Sequence, residues 1–313
     1  MPSSSIEAFH LMNKSRHNVS TLENPENLTI RDAKYGWLLV TRYGFIRGGV
    51  KIFFLNPLTS QVISLPNLSA MARSFCFTSL PTLSSCSVIA ISEIYTEQHL
   101  VIYHISRGMR KWVRVRISID CSIEFTPYSN PVFHGGIFYW ILIRGNLCTY
   151  DMTKEKMTLF PKLQSPCNAL CISYLFESGE KLMSVCSERR GEWVKVYELD
   201  EALMAWKEVN TLDNKVVFLS RNSSLVTEIQ NWEDMIFFNR FVGDYQPLVY
   251  SLKTGELGVY GDGQHVIRDF CDIPENQIKS AWIMPDNKQH SLQELSWYNS
   301  VLLNTIKKWL HSW

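Results

Sequence analysis

Five of the ten residues from Arg107 to Arg116 are cationic, and a tryptophan sits among them. Side chains alternate along a strand, so this run would set Arg110, Trp112, Arg114 and Arg116 on one face and Lys111, Val113 and Val115 on the other. A face of guanidinium and indole groups can bind an acidic protein segment or a phosphate backbone without covalent chemistry. The same pattern also describes a charged outer strand, whose like charges keep molecules from pairing edge to edge.

Reactive groups elsewhere are scattered. Cys167, Cys171 and Cys186 could be soft metal ligands, but no histidine stands near them and no zinc spacing fits, so they read as small buried hydrophobes. The other five cysteines, at 76, 86, 121, 148 and 271, form no C-x-x-C pair and read the same way. His99, His104 and His134 are single histidines on strand edges without a visible carboxylate, serine or cysteine partner, which favours structural roles. No phosphate-binding loop, nucleophile elbow or zinc-helix motif occurs, and GDGQ at 261–264 lacks the third glycine of a dinucleotide fingerprint. No catalytic residue, cofactor or metal is assigned. A propeller enzyme with a site assembled at its central channel stays as an alternative.

Composition narrows the partners. Against 31 Lys and Arg stand 30 Asp and Glu, a net charge of +1, so no global field draws the chain to nucleic acid or an anionic membrane. No apolar run is long enough for a secretory signal or a membrane span, which predicts a soluble protein of the cytoplasm or nucleus. Aromatics make up 12% of residues, with 10 Trp, and suit pleated, half-buried surfaces.

The elements that must position these groups recur. Val50 to Leu55, a turn at Asn56 to Thr59 and a return strand Gln61 to Leu65 form a hairpin stopped by Pro66. Similar hairpins follow at 100–115, 147–161, 193–209 and 247–260. Marking one strand residue before each turn gives Leu55, Tyr103, Tyr150, Tyr197 and Tyr250, spaced by 48, 47, 47 and 53 residues. With further strands between them, about four per repeat, this predicts an all-β, kelch-like β-propeller of about six four-stranded blades. The remaining blade would be closed by the segment before Gly36 and a strand around Ser280 to Met284. Gly36 and Gly135-Gly136 precede aromatic strands and mark positions that need tight backbone.

The domain plan is a weakly ordered arm over 1–30, the propeller over 31–286 and a C-terminal helix over 287–313. Ser291 and Glu294 form a capping-box pair, and Leu295, Leu302, Ile306, Trp309 and Trp313 share one helical face. That face either packs on the propeller rim or docks a partner, and Trp309 and Trp313 are its candidate contacts.

GWLLV (36–40), FFLNPLTSQVISLP (53–66), YLFESGEKLMSV (174–185), the long block from Val196 to Ser224 and AWIMP (281–285) together resemble the plant F-box-associated β-propeller family, the F-box/kelch-repeat-like proteins. The resemblance covers roughly 31–285 in one order. It implies a non-enzymatic propeller that receives a protein substrate, as in SCF-type ubiquitin ligases. In that family an N-terminal F-box, a small helical module, binds the Skp-type subunit of a cullin-based ubiquitin ligase. Residues 1–30 lack its length and apolar spacing, so those subunits would join only if an F-box is supplied elsewhere.

Overall fold

In a computed structural model the described residues are 6–10, 15–19, 28–43, 49–94, 99–118, 130–142, 146–160, 172–188, 193–242, 246–260 and 281–283. The helix expected over 287–313, with Trp309 and Trp313, lies outside them. Every regular element among the described residues is a strand. The chain divides into two compact units, the first holding Met1–Ile94 and Leu100–Arg116 and the second Ile117–Trp282.

The first strands, β1 (Ile6–His10) and β2 (Ser15–Val19), pair as an antiparallel hairpin within the segment read as an arm. Two four-stranded sheets follow. Sheet I runs β3 (Leu28–Lys34), β4 (Trp37–Tyr43), β5 (Val50–Asn56) and β6 (Gln61–Ser64) in chain order. Sheet II runs β7 (Ser74–Phe77), β8 (Ser87–Ile94), β9 (His99–Ser106) and β10 (Val113–Ser118), with β10 as its outer strand.

The second unit holds sheet III, of β11 (Val132–His134), β12 (Ile137–Ile141), β13 (Leu147–Asp151) and β14 (Lys156–Phe160). Sheet IV has β15 (Ile172–Ser178), β16 (Lys181–Ser187), β17 (Val194–Asp200) and β18 (Ala205–Val209). Sheet V has five strands, β19 (Val216–Leu219), β20 (Ser224–Thr227), β21 (Met235–Val242), β22 (Gln246–Ser251) and β23 (Glu256–Val259). Its order is β20-β19-β21-β22-β23, and β19 lies parallel to β21.

Five sheets of the expected kind therefore stand among the described residues, against about six predicted. Before Gly36, β1 and β2 pair as a two-stranded sheet of their own, and β3 belongs to sheet I, because Tyr35 and Gly36, both at positive φ, turn it straight back onto β4. Ala281–Ile283 forms no strand; the Trp282 indole instead packs on Phe218 and donates to the Leu219 carbonyl at 3.1 Å.

The repeat is written in its turns. Two-residue turns with positive φ at one or both positions join the first two strands of sheets I, III and IV at Tyr35-Gly36, Gly135-Gly136 and Gly179-Glu180. The outer hairpins of sheets I, III, IV and V share a stricter device. A polar residue ends the strand and four residues separate it from its partner across the ladder. Its side chain accepts main-chain N–H groups inside the turn. Asn56 Oδ1 takes Leu58 and Thr59, Asp151 Oδ1 takes Thr153 and Lys154, Asp200 Oδ1 takes Leu203, and Ser251 Oγ takes Thr254. The fourth turn residue is left-handed each time, at Ser60, Glu155, Met204 and Gly255.

Apolar side chains fuse neighbouring sheets inside each unit. Phe54 of sheet I meets Phe77 of sheet II edge-on at 5.1 Å, within a cluster that also buries Leu39, Ile63, Phe75, Val88 and Ile105. A second cluster joins Phe176 and Val196 of sheet IV to Val217, Phe238 and Leu248 of sheet V. Cys76, Cys86 and Cys148 are buried free thiols, as read from the sequence. Cys186 departs from that reading: it is disulfide-bonded.

Candidate functional site: a basic cleft in the first unit

One wall of the cleft grows from the end of sheet I. Leu65 N–H donates to Ile52 O at 2.9 Å and continues the ladder, but Pro66 has no N–H to give and breaks it. Pairing resumes at Leu68, which exchanges two main-chain bonds with Val50 at 2.8 and 3.0 Å. The interruption leaves the Pro66 carbonyl turned out of the sheet. The Trp112 indole N–H takes it at 2.8 Å.

The facing wall is the connection from β9 to β10. Ser106 and Met109 close a turn through a 3.0 Å main-chain bond, Gly108 within it has φ of 90°, and Met109 and Trp112 pack down on the shared core. Arg107 is spent inside the fold: its guanidinium donates to the Pro81 carbonyl and its N–H to Cys86 O. The strand begins only at Val113, so Arg110 and Lys111 lie in a bend and not on a strand face. This corrects the expected alternation, in which Lys111 opposed Arg110. Both border the same space.

That space is a cleft of about 530 Å³, with Pro66 to Ser69 on one side and Tyr103, Arg110, Lys111, Trp112 and Arg114 on the other. Among the described residues its lining contains no Asp or Glu. Arg110, Lys111 and Arg114 are exposed and have no ion-pair partner among the described residues, while Trp112 is half-buried. Of the expected stripe, Arg110, Trp112 and Arg114 are thus brought together and joined by Lys111; Arg116 is exposed further along β10 and does not line the cleft. Tyr103 was used in the sequence only as a spacing mark, and the Pro66 wall lies 46 residues from Trp112. The visible signals for them were a strand-stopping proline and an aromatic at a fixed step.

Two buried polar knots tie neighbouring sheets. Asp32, in β3, accepts N–H groups from Ala33 and from Phe77 of sheet II at 2.9 and 3.0 Å. Lys34 reaches Cys76 Sγ and Phe77 O, both at 3.2 Å. Burial works against the Lys34 ammonium, but Asp32 and Cys76 beside it more than reverse this and hold its pKa above the ordinary lysine value. In the second unit His134, read as partnerless, is flanked by two carboxylates, Glu177 Oε1 at 2.8 Å from Nδ1 and Glu201 Oε1 at 2.9 Å from Nε2. With both ring nitrogens engaged, this histidine is a brace between sheets III and IV. Its partners lie 43 and 67 residues away, beyond any local motif. His99 and His104 lie on β9, and Cys167, Cys171 and the GDGQ segment lie outside the described residues.

A second cleft, of about 640 Å³, lies over Glu177, Gly179, Lys215 and Thr227. Two of its three charged groups are committed, Glu177 to His134 and Lys215 to Ser178 Oγ at 3.3 Å, and the third is Glu228. Among the described residues no group of three or more His, Cys, Asp or Glu is arranged to hold a metal ion.

Sheets of four or five strands repeating every 45 to 51 residues, counted between the strand-ending residues Asn56, Ser106, Asp151, Asp200 and Ser251, are the blades of a propeller. The family model of the KIB1-4 beta-propeller matches residues 8–261. The chain belongs to the KIB1-4 beta-propeller family. Its relatives include the F-box/kelch-repeat protein At1g57790 of Arabidopsis thaliana, 26% identical over 283 residues, a match covering 87% of this chain and 77% of the relative. The F-box protein At4g00893 of the same plant is 25% identical over 251 residues, which cover 74% of this chain and 62% of that protein. Among solved structures, a Bacteroides thetaiotaomicron protein of unknown function aligns with a TM-score of 0.41 at 12% identity, over 77% of this chain and 60% of its own. Among its described residues the KIB1-4 propeller is all-β, as the sequence predicted.

Proposed function

We propose that this KIB1-4 propeller is a non-enzymatic protein-recognition module of the cytoplasm or nucleus, acting as the substrate-receiving part of an SCF-type ubiquitin ligase. The basic, aromatic cleft at Pro66 to Ser69 and Arg110 to Arg114 carries the recognition half of this reading. Its groups suit reversible binding: exposed guanidinium and ammonium heads beside a fixed indole, with no nucleophile and general base placed together. The ligase half is supported by the names of the relatives, F-box and F-box/kelch-repeat proteins. Skp-type and cullin subunits would reach the propeller through an F-box. Affinity purification of the tagged chain from plant cells, with and without co-expressed F-box protein, tests it. Skp-type and cullin subunits are expected in the eluate when an F-box is present; their absence in both arms removes the ligase role and leaves recognition standing.

A further inference from the structure

We infer that the cleft between Pro66–Ser69 and Arg110–Arg114 binds an extended, acidic linear peptide segment that carries an apolar side chain. The inference deepens the recognition role proposed above, by naming the chemistry of the partner, and rests on it.

Charge decides the sign of the ligand. Three cations within five residues border one cleft, and among the described residues no carboxylate lines it. Placed together without counter-charge they repel one another, and a docked anion relieves that repulsion while gaining charge-assisted hydrogen bonds. Arg107, in the same run, shows what the fold does with a cation it uses internally: its head is turned inward onto the Pro81 carbonyl. Arg110, Lys111 and Arg114 are left exposed.

Distribution decides its shape. Arg110 and Lys111 occupy the bend and Arg114 lies on β10, so the positive heads are strung along a wall rather than gathered at one point. Successive carboxylates on an extended chain match that spread better than a single compact anion does. Between them the cleft offers Tyr103 and the open part of the Trp112 ring, which suit an apolar side chain. Trp112 is held in place by its bond to Pro66 and by the core beneath, so little side-chain freedom is lost on binding.

Size and net charge separate a peptide from nucleic acid. A nucleic-acid site tracks a long backbone with a broad field, whereas the whole chain carries +1 and the cleft holds about 530 Å³.

Fluorescence anisotropy on the purified full chain tests the inference with three labelled probes. These are a peptide of alternating Asp and Glu around one central Phe, the same peptide with Asn and Gln for the acids, and a single-stranded DNA oligomer of equal charge. The acidic peptide is expected to bind and to weaken as salt rises. The double reversal Arg110→Glu with Arg114→Glu should cost at least about tenfold in affinity. Reversal of the exposed Lys156 and Lys207, which shifts net charge equally, should cost less than about twofold. Equal binding of the neutral peptide, tighter binding of the DNA, equal loss in the Lys156 and Lys207 variant, or no binding of the acidic peptide would overturn the inference. The measurement involves no ligase subunit, so its result and that of the co-purification are read independently.

Discussion

Single residues carry the sharpest consequences of burial in this chain. The Cys86 thiol is fully enclosed, donates to the Ser79 carbonyl at 3.2 Å, and is pushed up by burial to about 11 from its ordinary 9.0. The native fold therefore holds the neutral thiol. Its contribution to stability is whole below about pH 9 and is lost as pH rises through about 11. At pH 8 to 9 its thiolate fraction should be on the order of 100-fold below that of a free cysteine, and labelling by a disulfide reagent should be correspondingly slow until denaturant is added. Rapid labelling of native protein, mapped to Cys86 by mass spectrometry, would contradict this. His134 shows the limit of reading single residues from sequence. Its imidazole was visible, but its two carboxylates come from β15 and from the turn after β17, and only folding brings them within 3 Å.

Elements behave as the turns dictate. Gly49 has φ of 73°, and a Cβ there would stand 2.8 Å from the Leu68 main-chain oxygen, the atom that accepts the Val50 N–H. Gly49→Ala must strain the backbone and push the Leu68 strand away. A loss of about 1–3 kcal/mol in urea unfolding is expected, together with weaker peptide binding, because Leu68 belongs to the cleft wall. An unchanged urea midpoint would show that the wall yields freely. The strands themselves were legible in the sequence, since alternation and turn residues are local. Leu55, Tyr150 and Tyr250 each stand one residue before the capping position, as marked. Tyr103 and Tyr197 stand three before it, because an aromatic looks the same two residues along one face. Lys111 was misplaced for a related reason: hydrophobic alternation extends past the true start of β10, and only the ladder shows where pairing begins. The parallel contact of β19 with β21 left no trace, since alternation carries no strand direction.

For the molecule as a whole, stability is shared between sheets more than owned by any one. Phe54 is fully buried in sheet I and its ring rests on Phe77 of sheet II, whose N–H is held by Asp32 of sheet I. Phe54→Ala should cost about 3–5 kcal/mol and speed amide exchange at Phe77 as well as in β5. Exchange confined to β5 would mean that the two sheets open separately. A core laid down between sheets also explains why the fold was more legible in the sequence than the cleft: the apolar pattern repeats in every blade, whereas the basic run with Arg110, Trp112 and Arg114 was visible but its facing wall, Pro66 to Ser69, is brought to it only by folding. The cleft keeps its form through main-chain atoms, a proline that cannot pair and one anchored indole, and none of these depends on the three charges. A sister gene could trade those charges for acids or neutral groups and take up new clients, with the walls still standing where they were.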